Sequence, residues 1–215
     1  IWTQKRRQKI IQLGYEKEIA LEKQRVLISR NMHDDLGSAL SAIKLKTSTL
    51  SVKSKDLEHK KELKQLGTRI KSIDQKIQDA IWAVDARNDR VENLIDYLVN
   101  HIRDLFDDGP MIYELLLPKE LPDYLVSGDI RRMVALAYKE ILNNIIKHAH
   151  AKKIWVNVYL FNKDTMQIII QDDGVGFDIE EKELGDGNGL DNMRFRMEKI
   201  GGTCRFLPAK KGTSV

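Results

Sequence analysis

Apolar residues along the N-terminal part of the chain return every three or four positions, the period of a helix that buries one face. Residues 5–50 contain no proline and only two glycines, Gly14 and Gly37, so the pattern predicts one long helix there. On a wheel advancing about 100° per residue, Ile28, Met32, Leu36, Leu40 and Ile43 fall into one stripe. After the polar break "SVKSKDLEHK", the residues Leu63, Leu66, Ile70, Ile73, Ile77, Ala80 and Val84 form a heptad seam sustained for three repeats. Two such helices joined by a short turn make an antiparallel hairpin with an apolar stripe that it does not cover by itself. Pairing two hairpins into a dimeric four-helix bundle is the expected solution. A monomeric helical domain with both stripes packed on the C-terminal part is the alternative.

From "DARNDRVEN" onward the texture changes. A helix through Leu94, Leu98 and Leu105 leads into "DDGP" and the apolar strand "MIYELLL". A helix from about Asp129 to His148 follows, then two alternating strands, "IWVNVYL" and "MQIIIQ". A glycine-rich loop, the helix "LDNMRFRMEKI", a Gly-Gly turn and a last strand beginning "TCRFL" complete the order. The fold class expected is therefore α plus α/β. A helical hairpin is followed by an α/β sandwich with a mixed sheet and helices on one face, the two divided near residues 85–90.

Composition alters this picture little. The 215 residues carry 36 Lys and Arg against 32 Asp and Glu, a net charge of +4, which does not point to direct contact with nucleic acid. The single cysteine, Cys204, has no partner for an internal disulfide and fits a reducing compartment. No apolar run is long enough to cross a bilayer. The opening "IWTQKRRQK" lacks a methionine and sets Trp beside Lys and Arg, as at the cytoplasmic end of a membrane span. The expectation is the cytoplasmic portion of a longer protein, anchored in an inner membrane through a segment before residue 1.

Three stretches carry candidate chemistry. In "SRNMHDDLGSAL", His33 lies at the edge of the apolar stripe, its base packed and its ring reachable, with Asp34 one step further out. The plain alternative is a surface histidine in a favourable acidic setting. In "EILNNIIKHAHAK", helical spacing lets Glu140, Asn144 and either Lys147 or His148 share a face. An acid, an amide oxygen and a cation there suit a hydrated Mg²⁺ and phosphates, or else a solvated helix surface. In "DDGVGFD", Asp172 ends a strand, and Gly174 and Gly176 allow close backbone approach, although a simple turn has the same taste for Asp and Gly. Gly185, Gly187 and Gly189 then precede a helix whose N-terminus would offer N–H groups to an anion.

The succession "HDDLG", "EILNNIIKHA", "DDGVGFD" and "GNGLDNMRFRMEKIGG", from about residue 25 to residue 213, closely resembles bacterial sensor histidine kinases. The subfamily is the one whose phosphoacceptor box reads HD-x-x-G-Q, with a GHKL-type ATP-binding domain. The resemblance implies that His33 is phosphorylated from ATP and that Asp34 accepts the proton from its ring. It implies that Asn144 is the Mg²⁺ ligand, Glu140 an acid near the metal or its water, and Lys147 and His148 the phosphate-side residues. Asp172 would recognise the adenine amino group. Gly174 and Gly176 would form the first glycine box and Gly187 and Gly189 the second, under a lid of about residues 178–188. The partners implied are a second copy of the chain and a response regulator receiver domain whose aspartate takes the phosphoryl group. Residues 1–24 would be a juxtamembrane signalling helix, 25–88 the dimerisation and phosphotransfer domain, and 89–215 the catalytic ATP-binding domain.

Two positions depart from the family pattern. Ser38 stands where the subfamily usually has Gln, a residue implicated in dephosphorylating the partner, so weak phosphatase activity is expected. "AKKGTSV" lacks the first glycine of the usual G-x-G-T. Two rival functions share part of the evidence. An ATPase clamp of the gyrase and Hsp90 type shares the nucleotide motifs but has no need of a His-Asp box on a dimerising helix. A non-catalytic coiled-coil module with a degenerate site is opposed by the intact Glu140, Asn144, Asp172 and glycine boxes.

Overall fold

The computed structural model describes residues 2–107, 109–161, 165–176, 189–208 and 211–215. The chain divides into two compact units, Ile1–Asn88 and Asp89–Val215.

The first unit is a hairpin of α1 (Trp2–Lys53) and α2 (Leu57–Val84). The polar break is narrower than its composition suggests, because the turn closes on itself. Ser54 donates its hydroxyl to the Asp56 carbonyl at 3.1 Å, and the Asp56 carboxylate caps α2 by accepting the Glu58 N–H at 2.8 Å. At the other end the Asp85 N–H bonds the Ile81 carbonyl, and a 3₁₀ turn, Ala86–Asn88, ends the unit. Between the helices Ile70, Ile81 and Ala83 are buried, with Met32 and Leu40 half-buried opposite them. The polar side chains inside are satisfied: Thr47 bonds the Ile43 carbonyl at 2.8 Å, and Ser29 bonds Asp85. The hairpin uses only one flank of each predicted stripe. Ile28, Leu36 and Ile43 on α1 remain 40%, 38% and 49% exposed, and Leu66 and Ile73 on α2 remain 47% and 49% exposed.

The second unit runs α3 (Val91–Phe106), β1 (Ile112–Leu116), α4 (Gly128–Asn144), β2 (Lys153–Phe161), β3 (Thr165–Asp172), α5 (Gly189–Lys199), β4 (Leu207–Pro208) and β5 (Thr213–Ser214). The sheet order is β1-β2-β3-β5-β4, with β1 parallel to β2 and the remaining pairs antiparallel. Strict alternation on β2 sends Ile154, Val156 and Val158 into the core. On α3, Val91, Ile95 and Val99 pack against Val158 together with Leu115, Leu160, Met166 and Ile168. The mixed sheet and its covering helices match the expected class.

Local differences have physical reasons. The helix expected to continue to His148 does so with a change of winding. Ile145–Ala149 is a π-helical turn, and His150 then adopts a left-handed conformation with φ 50°. Thr203–Phe206 makes no ladder, and β4 begins only at Leu207. Its partner β5 offers two register pairs, Leu207 with Ser214 and Pro208 with Thr213, while Phe206 turns into the core under the Arg194 guanidinium, 5.6 Å from its ring centre. No helix among the described residues is long and apolar enough to cross a membrane.

Candidate functional site

In the C-terminal unit a pocket opens between α4, its π turn, the ends of β3 and β5, and α5. Its walls are apolar, with Ile141, Ile145, Ile170, Leu190, Met193 and Phe206, and its polar groups are Asn144, His148, Asp172 and Thr213. A few polar groups in an apolar cleft are what orients a flat, partly polar ligand. Asp172 is 2% exposed. Burial pushes its carboxyl upward, and the N–H groups of Gly174 at 2.8 Å and Thr213 at 3.2 Å work against that by favouring the ion. The result is an acid fixed in place at the pocket floor.

Two glycines are required by the closeness of the backbone there. A Cβ on Gly174 would lie 2.1 Å from the Ala149 carbonyl oxygen, which itself accepts the Val175 N–H at 2.8 Å. Gly212, at φ 80°, would place a Cβ 2.1 Å from the Asp172 carbonyl oxygen. The loop after β3 is thus clamped between the π turn and the strand that delivers Thr213. Asp173, the neighbouring acid, points elsewhere. It accepts the N–H groups of Lys152 and Lys153 at 2.7 and 2.8 Å, and these bonds hold its carboxyl below the usual range.

The π turn decides which of the two basic residues meets the pocket. Its wider winding leaves His148 beside Asn144 in the lining, whereas Lys147 is exposed and is not among the lining residues. Glu140 is half-buried on α4, and a Cβ on Gly189 would come 3.3 Å from its Oε1, so the carboxylate lies against the start of α5. Gly176 lines the pocket in a left-handed conformation with φ 70°. Gly187 and the expected lid, residues 178–188, lie outside the described residues. Gly212 and Thr213 were not singled out from sequence as site residues. The available signal was the Gly-Thr pair in "KKGTSV".

In the N-terminal unit, His33 and Asp34 project from α1 into solvent, their side chains 64% and 70% exposed, with Nδ1 and Oδ1 3.5 Å apart. The other ring nitrogen, Nε2, points away from that pair by the geometry of imidazole. Ser38, one turn further on, donates its hydroxyl to the Asp35 carbonyl at 3.1 Å.

Residues 24–89 match the family model described as "Histidine kinase", and residues 128–215 match "Histidine kinase-, DNA gyrase B-, and HSP90-like ATPase". The first match contains His33, and the second contains Asn144, Asp172 and Gly212. The chain carries both modules of a bacterial sensor histidine kinase. It is 29% identical over 189 residues to the sensor histidine kinase YvfT of Bacillus subtilis, covering 86% of this chain and 47% of that protein. It is 30% identical over 191 residues to the sensor protein VraS of Staphylococcus aureus, covering 87% of this chain and 52% of that one. The chain thus spans about half the length of the curated relatives it matches. The histidine kinase domain of a blue-light activated histidine kinase from Erythrobacter litoralis shares the fold, with TM-score 0.51, 11% identity, and coverage of 82% of this chain and 91% of that one.

Proposed function

We propose that this histidine kinase chain phosphorylates His33 from ATP and passes the phosphoryl group to an aspartate of a response regulator. The reading rests on one observation: the exposed His33–Asp34 pair shares a chain with a buried, N–H-braced Asp172 at the floor of an apolar pocket. In this reading Asp172 accepts the adenine amino group and the apolar walls take the ring. Gly174 and Gly176, and Gly187 and Gly189, form the two glycine boxes.

The residues present also suit a magnesium ion: Asn144 offers a carbonyl oxygen at the pocket edge, Glu140 is near the start of α5, and oxygen ligands are what this cation prefers. Mg²⁺, when bound, neutralises phosphate charge. On the phosphate side, His148 offers its imidazole from the pocket lining, and Lys147, exposed outside that lining, brings its ammonium from beyond it. Neutral imidazole at His33 is the nucleophile. Its Nε2 forms the N–P bond as the bond from the γ-phosphorus to the bridging oxygen of ADP breaks, and Asp34 holds and then accepts the Nδ1 proton. Incubation with γ-labelled ATP is expected to give protein-bound phosphate that is lost in acid and survives base. Acid-stable, base-labile label would place the phosphate on a hydroxyl side chain and overturn the assignment.

The domain reading is 1–24 for a signalling helix next to the membrane, 25–88 for dimerisation and phosphotransfer, and 89–215 for catalysis. The whole protein is proposed to be membrane-anchored with this portion in the cytoplasm, its basic start "QKRRQK" on that side. The hairpin is proposed to dimerise into a four-helix bundle through the stripe it leaves exposed. Ile73→Lys separates the two oligomeric states: at 49% exposure a lysine costs a lone hairpin little, but in a bundle core it buries an unpaired charge. Sedimentation is expected to show association weakened by at least about tenfold. An unchanged profile would mean that the chains associate through other faces.

The phosphoacceptor box is read as HD-x-x-G-Q with Ser38 in the Gln position. The bond from the Ser38 hydroxyl to the Asp35 carbonyl supports weak phosphatase activity, because the group is turned to its own helix and is too short to hold a water at a docked receiver. Ser38→Gln is expected to speed the decay of phosphorylated receiver several-fold without loss of autophosphorylation. A parent that already speeds decay strongly, with no gain from Gln, would place water positioning elsewhere.

A further inference from the structure

The groove that holds His33 contains a buried acid and two guanidiniums for which the scheme above has no use. It encloses about 540 Å³, and Ser29, Arg30, His33, Asp34, Asp85 and Arg87 are among its lining residues. All belong to the N-terminal unit. Asp85 caps α2 and is 5% exposed. It accepts the Ser29 hydroxyl at 3.0 Å, and Ser29 lies one turn before His33 on α1. Arg87 grips the same carboxylate three ways: its backbone N–H reaches Oδ1 at 3.0 Å, its Nε reaches Oδ1 at 3.0 Å, and its Nη2 reaches Oδ2 at 2.6 Å. Burial alone would push the Asp85 carboxyl up, but the bonds from Arg87 and Ser29 outweigh it and hold the acid below its usual range.

The Ser29 hydroxyl and the Arg87 backbone N–H already give each oxygen of this buried carboxylate a donor. The added grip on Nε and Nη2 fixes the orientation of a guanidinium that is still 63% exposed, which is a means of aiming it rather than of burying it. We propose that Arg87 contacts the phosphoryl group carried on His33 and that Asp85 is the positioning residue that aims it. The proposal rests on His33 being the phosphoacceptor.

Charge favours such a contact. A phosphoryl group arriving on Nε2 brings close to two negative charges into a groove that the Asp34 and Asp85 carboxylates already line. A cation oriented before the reaction offsets that repulsion without reorganising when the charge arrives. Guanidinium suits both tasks, since its five N–H donors lie in one plane and match carboxylate at one edge and phosphate at another. A lysine would keep the charge and lose the grip on Asp85. Arg30, four residues before Asp34 on α1, adds a second positive charge to the groove.

The test is ³¹P NMR of the whole chain carrying phosphohistidine, made with ATP or, where a variant labels slowly, with phosphoramidate. A guanidinium on the phosphoryl oxygens lowers the group's second pKa, with Arg30, Asp34 and Asp85 as the other charged groups in the groove. Arg87→Gln is therefore expected to move the resonance and raise its titration midpoint, and Asp85→Asn to do the same in part through loss of aim. Autophosphorylation should fall by at least about tenfold in Arg87→Gln with ATP affinity unchanged, and Arg87→Lys should lie between it and the parent. A purely structural role for Arg87 would leave the resonance and midpoint where they are. Phosphohistidine with an unchanged resonance and midpoint in all three variants overturns the contact and leaves His33 as acceptor. Failure of the parent to form any phosphohistidine overturns both.

Discussion

His33→Gln is expected to abolish incorporation of acid-labile phosphate from ATP while the affinity for ATP stays at the parent value. Loss is complete because glutamine has no nucleophilic nitrogen of the imidazole kind, so no partial activity is left to measure. The side chain is 64% exposed on α1, and glutamine is a good helix former, so the cost to stability should stay within about 0.5 kcal/mol. The pocket containing Asp172 lies in the other unit and is built without any residue of α1. The two readouts should therefore separate cleanly: a fluorescent nucleotide titrates as before while labelling disappears. Acid-labile phosphate persisting in the variant would mean that another histidine is the acceptor.

Gly212→Ala is expected to damage the other unit as severely. Its methyl group would lie 2.1 Å from the Asp172 carbonyl oxygen and 2.6 Å from the carboxylate Oδ1, and the backbone there has φ 80°, which an L side chain resists. Relief requires β5 to move away from β3, which takes the Thr213 N–H off Asp172. Stability of the unit should fall by at least about 2 kcal/mol and ATP affinity by more than about tenfold. Gly201→Ala is the control. It has a similar φ of 73° but nothing within 4 Å of the added methyl, so it should cost about 1 kcal/mol and leave nucleotide binding intact. Equal effects from both substitutions would show that conformation alone, and not the approach to Asp172, governs the site.

The parts of the molecule readable in the sequence are those whose cause is local. The hairpin follows from a period of three to four over Leu63, Leu66, Ile70, Ile73 and Ile77, and β2 follows from alternation over Ile154, Val156 and Val158, because each pattern is written in residues that neighbour one another along the chain. Asp172 with Gly174 is legible for the same reason. The short β4 was not, since Phe206 takes a place in the core instead of a place in a ladder, and that choice depends on α5.

What the sequence by itself determined is the order of elements, the faces they bury and the residue types available for phosphoryl chemistry. Only the tertiary structure decided which of those residues meet. Thr213 reaches Asp172 across 41 positions because β5 pairs with β3. His148 rather than Lys147 lines the pocket because a π turn, braced through Ala149 by the loop after β3, rewinds the end of α4. Ser29 and Asp85, 56 positions apart, meet because the hairpin brings the start of the phosphoacceptor segment to the end of α2. Periodicity is a property of one segment and survives in its letters. A hydrogen bond between segments depends on register and winding, which are settled when the surfaces pack.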